Sequence, residues 1–358
     1  MRLTTVVGKV VSQFQTAFIP GRNILEGVVI LQEVLHELRV TKSAGVIIKL
    51  DFEKAYDRVN WNFLEEVLHR KGFDEKWIQW MNKAIRGGRV CMDLNGERGD
   101  YFRSFKGLRQ GDPLSPLLFN LVADALSAML SRACSAKAIK GLVPHLFEGG
   151  LTHLQYADDT VLLLHFDPKN LRNVRLLLSC YEAMSGMKIN YEKSEIFSVG
   201  LSLQEQNIAV ESLGCKIGVL PMKYLGMPVS CHKISKAQLS YVFEKTRKRL
   251  GTWQCEYLSS GGKSTLIDSC LSSIPMYTMG VYQLYEGIFQ CLDSIRSRFF
   301  WEGTSKKWKY HMIKWEALHR TKEFGGLGFM AVRVMNTCLL AKWIDKLERG
   351  ILVYVVLC

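Results

Sequence analysis

The sequence predicts an α+β protein, and three observations predict it. Short apolar stretches with a period of two alternate with helical stretches, without the regular spacing of βαβ units. From about residue 231 onward helical patterning takes over, with a denser load of basic and aromatic residues. The composition over 358 residues, 48% hydrophobic and 23% charged, is that of an ordinary globular chain. It excludes intrinsic disorder, a collagen-like repeat and a disulfide-stapled miniprotein.

Residues 21–40 read as a helix, since Ile24, Val28, Leu31, Leu35 and Leu38 recur at steps of three and four. Val46 to Phe52 reads as a strand. Val46, Ile48, Leu50 and Phe52 face one way; Ile47, Lys49 and Asp51 face the other. Asn60 is a suitable N-cap for a helix carrying Trp61, Leu64, Val67 and Leu68, and Glu75 to Ile85 predicts a second helix. Val90 to Phe105 predicts a hairpin turning at Asn95-Gly96. Ser115-Pro116 reads as a cap followed by a first-turn proline, with Leu118, Val122, Ala125, Leu126 and Met129 on one face of the ensuing helix. Two β segments flank Ala157-Asp158-Asp159 between Leu151 and Leu164; a helix follows over Leu171–Met184 and a strand over Met187–Val199. The change of character places a domain boundary near residue 230, dividing the chain into 1–230 and 231–358.

Forty-seven Lys and Arg against 34 Asp and Glu give a net charge of +13, which suits a polyanionic partner. Residues 231–330 alone hold 15 basic against 8 acidic residues and 16 aromatics, among them Trp253, Trp301, Trp308 and Trp315. The ten cysteines form no C-x-x-C pair and no zinc-like spacing with histidine, so reduced thiols and an intracellular setting are expected. The first residues do not read as a signal peptide, no uninterrupted run approaches the ~20 apolar residues of a bilayer span, and no membrane partner is expected. The apolar tail Ile351–Cys358 reads as a helix cut short or the scar of a shortened reading frame. Gly261-Gly262-Lys263-Ser264-Thr265 is not a phosphate-binding loop, because Tyr257 stands where the first glycine is required.

Three segments carry chemistry. Tyr156-Ala157-Asp158-Asp159 sets two adjacent carboxylates on a turn between apolar strands, and like charges there call for a positive partner. Asp51, on the polar face at the end of the first strand, is suited to meet Asp158 across a sheet, giving the hard oxygen donors of a two-metal Mg²⁺ or Mn²⁺ site. Gly107-Leu108-Arg109-Gln110-Gly111-Asp112-Pro113-Leu114-Ser115-Pro116 puts glycines on both sides of Arg-Gln, where backbone can approach a ligand closely.

Taken in order, these segments resemble the palm of a reverse transcriptase, and most closely those of non-LTR (LINE-type) retrotransposons of the plant kind. Asp51–Asp57 resembles the first palm motif, Gly107–Pro116 the glycine-glutamine motif, and Tyr156–Asp159 the Tyr-x-Asp-Asp signature. Gly186-Met187-Lys188-Ile189-Asn190 with Lys193-Ser194 is similar to the motif that follows, and Tyr224-Leu225-Gly226 to the primer-grip turn. Gln13–Arg22 is similar to a fingers segment; Leu258–Pro275 and Trp315–Lys342 are similar to the post-palm region of plant elements.

The resemblance implies a palm fold with partial fingers and a basic helical thumb, and an RNA-directed DNA polymerase. Template RNA, a DNA primer and dNTPs are the implied partners. Asp51, Asp158 and Asp159 are the implied catalytic carboxylates and Mg²⁺ ligands, with Asp159 the less direct of the three and the Phe52 carbonyl a further oxygen donor. Tyr56 corresponds to the aromatic gate beneath the incoming sugar, Gln110 and Gly111 to positions holding nucleotide and template, and Lys193 to the general acid for pyrophosphate. Arg22 is a candidate triphosphate contact, its guanidinium being suited to phosphate, and Lys49 a counter-charge for Asp51. Lys245, Arg247, Lys248 and Arg249 form a cluster suited to duplex backbone, while the interleaved tryptophans suit base stacking or, at helical spacing, a core. Only twelve residues precede Gln13, and neither an endonuclease nor an RNase H pattern is present. The expectation is therefore a piece of a longer nuclear element, with a non-catalytic nucleic-acid-binding remnant as the alternative.

Overall fold

A computed structural model describes residues 2–147, 149–250, 258–301 and 311–349. The tail Ile351–Cys358, Trp253 and Trp308 lie outside the described residues. The chain divides into two units, Met1–Leu225 and Gly226–Cys358.

The first unit contains α1 (Arg2–Val10), α2 (Ile24–Val40), β1 (Gly45–Leu50), α3 (Ala55–Arg58), α4 (Trp61–Arg70) and α5 (Glu75–Arg86). Four two-residue strands follow, β2 (Arg89–Val90), β3 (Asp93–Leu94), β4 (Glu97–Arg98) and β5 (Phe102–Arg103), then the long helix α6 (Ser115–Ser135). The remainder is β6 (His153–Tyr156), β7 (Asp159–His165), α7 (Pro168–Ser185), β8 (Glu195–Val199), α8 (Leu203–Leu213), β9 (Lys216–Ile217) and β10 (Met222–Tyr224). Five strands form one sheet in the order β6-β7-β1-β8-β9, antiparallel except for the β8–β9 pair.

The central strand β1 shows why this sheet folds. Val46, Ile48 and Leu50 share a core with Leu162, Leu164 and Ile196 from neighbouring strands and with Leu64, Leu118, Val122 and Leu178 from helices. At roughly 1.5–3 kcal/mol for each fully buried aliphatic side chain, this face is the main source of the unit's stability. On the other face Ile47 is fully buried, Lys49 half-buried and Asp51 exposed. The strand therefore emerges from cover as it approaches residue 51. Asn60 caps α4 as expected, its Oδ1 accepting from the Asn62 and Phe63 amides, and the 89–103 ribbon turns at Asn95-Gly96.

Three expectations are corrected. Ser115 is the first helical residue and the cap position is Leu114, whose amide donates to Asp112 Oδ1 at 2.9 Å. Leu117 to Asp124 are all buried, so the first half of α6 is surrounded by protein and has no single apolar face, while Ala128, Ser131, Arg132 and Ser135 in its second half are exposed. By length and composition α6 is also apolar enough to cross a membrane, although 67% of its most apolar window is buried inside the protein. Isolated Ser, Asn and Asp interrupt the apolar run without lowering its mean much, which is why counting runs missed it. Met187–Ser194 is not a strand: apart from one bridge between Phe52 and Ile189 it is loop and turn, and β8 begins only at Glu195.

The second unit contains β11 (Met227–Val229), α9 (Tyr241–Leu250), α10 (Ser260–Leu266), α11 (Ser273–Met279), α12 (Glu286–Trp301) and α13 (Val332–Glu348). Among its described residues are two apolar clusters, one around Val242, Met279, Ile288 and Leu292, the other around Ile267, Leu271, Phe299, Trp315 and Phe329. Trp315 is thus a core residue, and Trp301 is half-buried and stacked on His311 at 4.9 Å.

Candidate active site

Sheet register brings the acidic residues together. β1 and β7 pair through Leu50 and Thr160, so one step further along the ladder Asp51 stands level with Asp159. Neighbouring strands are about 4.8 Å apart. β6 and β7 are joined by a two-residue turn, Ala157-Asp158, closed by the Tyr156–Asp159 pair. Ala157 has φ +54° while Asp158 is not left-handed, the pattern of a type II′ hairpin turn. Asp51 and Asp158 are exposed and Asp159 is half-buried.

The electrostatics reflect this crowding. Burial pushes the Asp159 carboxyl up, Lys49 draws it down, and Asp158 and Asp51 push it up again. Lys49 therefore acts on Asp159, and its Nζ also donates to the Lys223 carbonyl at 2.9 Å. The backbone of Asp51 is pinned on both sides: its amide donates to Ser194 Oγ at 3.0 Å and its carbonyl accepts from the Asn190 amide at 2.7 Å. The Ser194 hydroxyl in turn donates to the Asn190 carbonyl at 2.8 Å.

Phe52 continues this edge through its bridge to Ile189, its ring meeting Tyr181 edge-on at 6.5 Å. Tyr56, on α3, is half-buried and stacked on Phe119 with ring centroids 4.4 Å apart. Burial and then the nearby Asp158 charge push its hydroxyl up to about 12, so it stays protonated. The Tyr56 carbonyl accepts from the Leu108 amide at 2.7 Å, and the Gly107 amide donates to Val59 O at 2.8 Å. Gly107 has φ +88°, and a Cβ there would meet the Asp57 carbonyl oxygen at 2.6 Å; only glycine fits. The adjacent Gln110 is exposed, 3.4 Å from Asp57 Oδ1, and Gly111 has φ +88° with open space around it. Lys193 is exposed in the turn before Ser194, next to the group that holds Asp51.

Tyr224 is buried against Gly27 of α2, where a Cβ would come within 3.4 Å of the tyrosine oxygen. Leu225 and Gly226 follow with φ +46° and +81°, the two left-handed residues of a type I′ turn between β10 and β11. Lys245, Arg247, Lys248 and Arg249 are exposed on α9, with Lys245 over the Tyr241 ring at 5.1 Å and Arg247 over Phe243 at 5.9 Å.

Arg22 does something other than the expected triphosphate contact. Its guanidinium donates to the backbone carbonyls of Gly8, Val11, Ser12 and Gln15, closing the C-terminal end of α1. Both terminal nitrogens are committed to carbonyls, so no fork faces solvent to grip phosphate. Two residues that bear on the site were not singled out from the sequence. Gln15, fully buried, bonds the backbone of Ala157, and Ser194 holds Asp51. Nothing in a one-dimensional pattern separates these from other short polar residues; only their partners do.

The chemistry of the donor set fits a hard divalent cation, because carboxylates on adjoining strand ends repel one another until one is bound. Among the described residues, however, no three His, Cys, Asp or Glu side chains are already gathered closely enough to form a metal cage. The site is a set of neighbouring ligands that a cation would draw in.

This arrangement, an antiparallel sheet packed on helices with acidic residues at the ends of its central strands, is a palm-type α+β fold. Residues 1–229 match the family described as reverse transcriptase (RNA-dependent DNA polymerase), and the chain belongs to that family. It is 26% identical over 283 residues, 78% of its length, to the transposon TX1 uncharacterized 149 kDa protein of Xenopus laevis, covering 21% of that protein. It is 24% identical over 337 residues, 91% of its length, to the retrovirus-related Pol polyprotein from the type-1 retrotransposable element R2 of Popillia japonica, covering 53% of that protein. The chain thus spans from a fifth to about half of these relatives. Among solved structures, telomerase from Candida albicans in complex with a fragment of telomeric RNA shares the fold, with a TM-score of 0.52 at 12% identity, over 97% of this chain and 54% of that one. The chain is a reverse transcriptase domain of the non-LTR retrotransposon type, and the family implies catalysis dependent on a divalent metal.

Proposed function

We propose that this domain extends the 3′-hydroxyl of a DNA primer with dNTPs copied from an RNA template. The observation that carries this is the ladder that sets Asp51 level with Asp159, one residue from Asp158. Asp51, Asp158 and Asp159 would hold the cation, Mg²⁺ or Mn²⁺, with the Phe52 carbonyl as a further donor; bound there, it neutralises the triphosphate and makes the 3′-hydroxyl more acidic. The rest falls to the chain's own groups. Tyr56, stacked on Phe119, presents a fixed ring against a ribose 2′-hydroxyl. Gln110 and Gly111 receive base and template, Lys193 donates a proton to departing pyrophosphate, and the Tyr224-Leu225-Gly226 turn holds the primer end. The cations of α9 bind duplex phosphates.

Primer extension on an RNA template with Mg²⁺ tests this. Asp158→Ala should lower extension by roughly a thousandfold or more, while salt-sensitive binding of primer–template persists. Extension unchanged by the substitution overturns the assignment of the carboxylates.

A further inference from the structure

We infer that Gln15 is a positioning residue for the Asp158–Asp159 turn, an inference that rests on the polymerase reading for its kinetic consequence but not for its geometry. The Gln15 side chain is fully buried. Its Oε1 accepts from the Ala157 amide at 2.9 Å and from the Ala17 amide at 3.1 Å, and its Nε2 reaches the Ala157 carbonyl at 3.4 Å. One amide side chain thus brackets both polar groups of the single residue between Tyr156 and Asp158.

That residue needs a bracket. Ala157 sits at φ +54°, a region an L-residue with a Cβ enters at a cost that glycine avoids. If Ala157 relaxes to negative φ, the turn reorients and Asp158 leaves its place in it, one residue from Asp159, which stands level with Asp51. Gln15 opposes this with hydrogen bonds in a site from which water is excluded, where an unmade bond is costly.

The bracket is itself anchored. Phe14 to Thr16 lie along β6 like an extra strand, with a parallel bridge from Gln15 to Gln155. The Thr16 amide donates to Gln155 O at 3.0 Å and the Gln155 amide to Phe14 O at 2.9 Å. Just upstream, the Ser12 amide donates to Asp124 Oδ1 at 2.7 Å, and Lys71, paired with Asp124, donates to Val10 O at 2.6 Å. Arg22 fixes the same stretch through four carbonyls. The segment before α2 is thereby a rigid arm whose working end is the Gln15 amide, and the arm sets the pose of the acidic turn from outside the main sheet.

The test uses Gln15→Met, which keeps the volume and removes the hydrogen bonds, alone and with Ala157→Gly, which adopts positive φ without strain. Hydrogen exchange of the 153–160 segment and primer extension are measured on each. Gln15→Met should lose protection at the Ala157 amide and lower kcat by about tenfold or more, with primer–template affinity unchanged. Adding Ala157→Gly should recover several-fold of kcat, which a general loss of folding would not allow. Should Gln15→Met fail to fold, Gln15→Glu keeps the acceptor oxygen and should retain the Ala157 protection. Unchanged exchange at 153–160 in Gln15→Met, a kcat loss without recovery by Ala157→Gly, or protection lost in Gln15→Glu overturns the inference. Wild-type protein that protects Ala157 yet extends no primer overturns the polymerase reading instead and leaves the clamp standing.

Discussion

Two sets of cations, one in the sheet unit and one on α9 of the helical unit, are used in opposite ways. In the first, Arg22 and Lys71 point inward: every terminal nitrogen of Arg22 has a backbone carbonyl, and Lys71 joins Asp124 and Val10. In the second, Lys245, Arg247, Lys248 and Arg249 point outward from α9, two of them lying over the rings of Tyr241 and Phe243. The first pair does geometric work and depends on the shape of the cation. The second group supplies field, and depends mainly on the sum of its charges. Net charge alone, +13 for the chain, does not distinguish the two.

Arg22 gives the sharpest way to break the comparison. Arg22→Ala should cost about 3 kcal/mol of stability by leaving four carbonyls without their charged donor. Arg22→Lys should recover little, because an ammonium cannot span the same fork. Thermal melting reads both, and a lysine that restores the full melting temperature would show that charge alone suffices there.

A smaller effect is expected on α9. Replacing Lys245, Arg247, Lys248 and Arg249 by Gln should weaken primer–template binding by roughly thirtyfold at physiological salt and flatten the dependence of log K on log salt by about 3 units. Exchanging each lysine for arginine and each arginine for lysine should change little. Binding titrations across salt decide; an unchanged slope would remove this helix from the nucleic-acid surface.

The smallest effect tests burial of negative charge on α2. Burial, and then Glu37, push the Glu33 carboxyl up to about 7. Its folded-state pKa lies above its ordinary value, so the folded protein holds this proton more tightly than the unfolded chain does. Stability should therefore fall as pH rises from about 4.5 to about 7 and then level off. Glu33→Gln should abolish that slope, and melting curves at pH 5, 6, 7 and 8 would reveal an unaltered slope if Glu33 is not its source.

Much of the site was legible because its signals are local. Tyr156-Ala157-Asp158-Asp159 announces a turn with adjacent carboxylates, and the Asp51 strand is visible in its alternation. Strand alternation also anticipated which face of β1 would carry Asp51. Gln15 and Arg22 were less legible: both lie within a recognisable segment, yet the pattern says nothing about whether an amide or guanidinium turns toward backbone or ligand. Met187–Ser194 was misread because its apolar residues alternate as in a strand, while Asn190 and Ser194 turn the chain to hold Asp51.

By itself the sequence determined the class of fold, the order of the motifs and the residue types available for chemistry, because periodicity and turn preference act over a few residues. Tertiary structure alone decided that Asp51 stands level with Asp159, that Ala157 is bracketed in a left-handed conformation, and that Arg22 faces inward. Register and the Ala157 bracket depend on partners more than a hundred residues away in the chain, Arg22 turns to carbonyls 7 to 14 residues upstream, and buried hydrogen bonds choose among the alternatives that local preferences leave open.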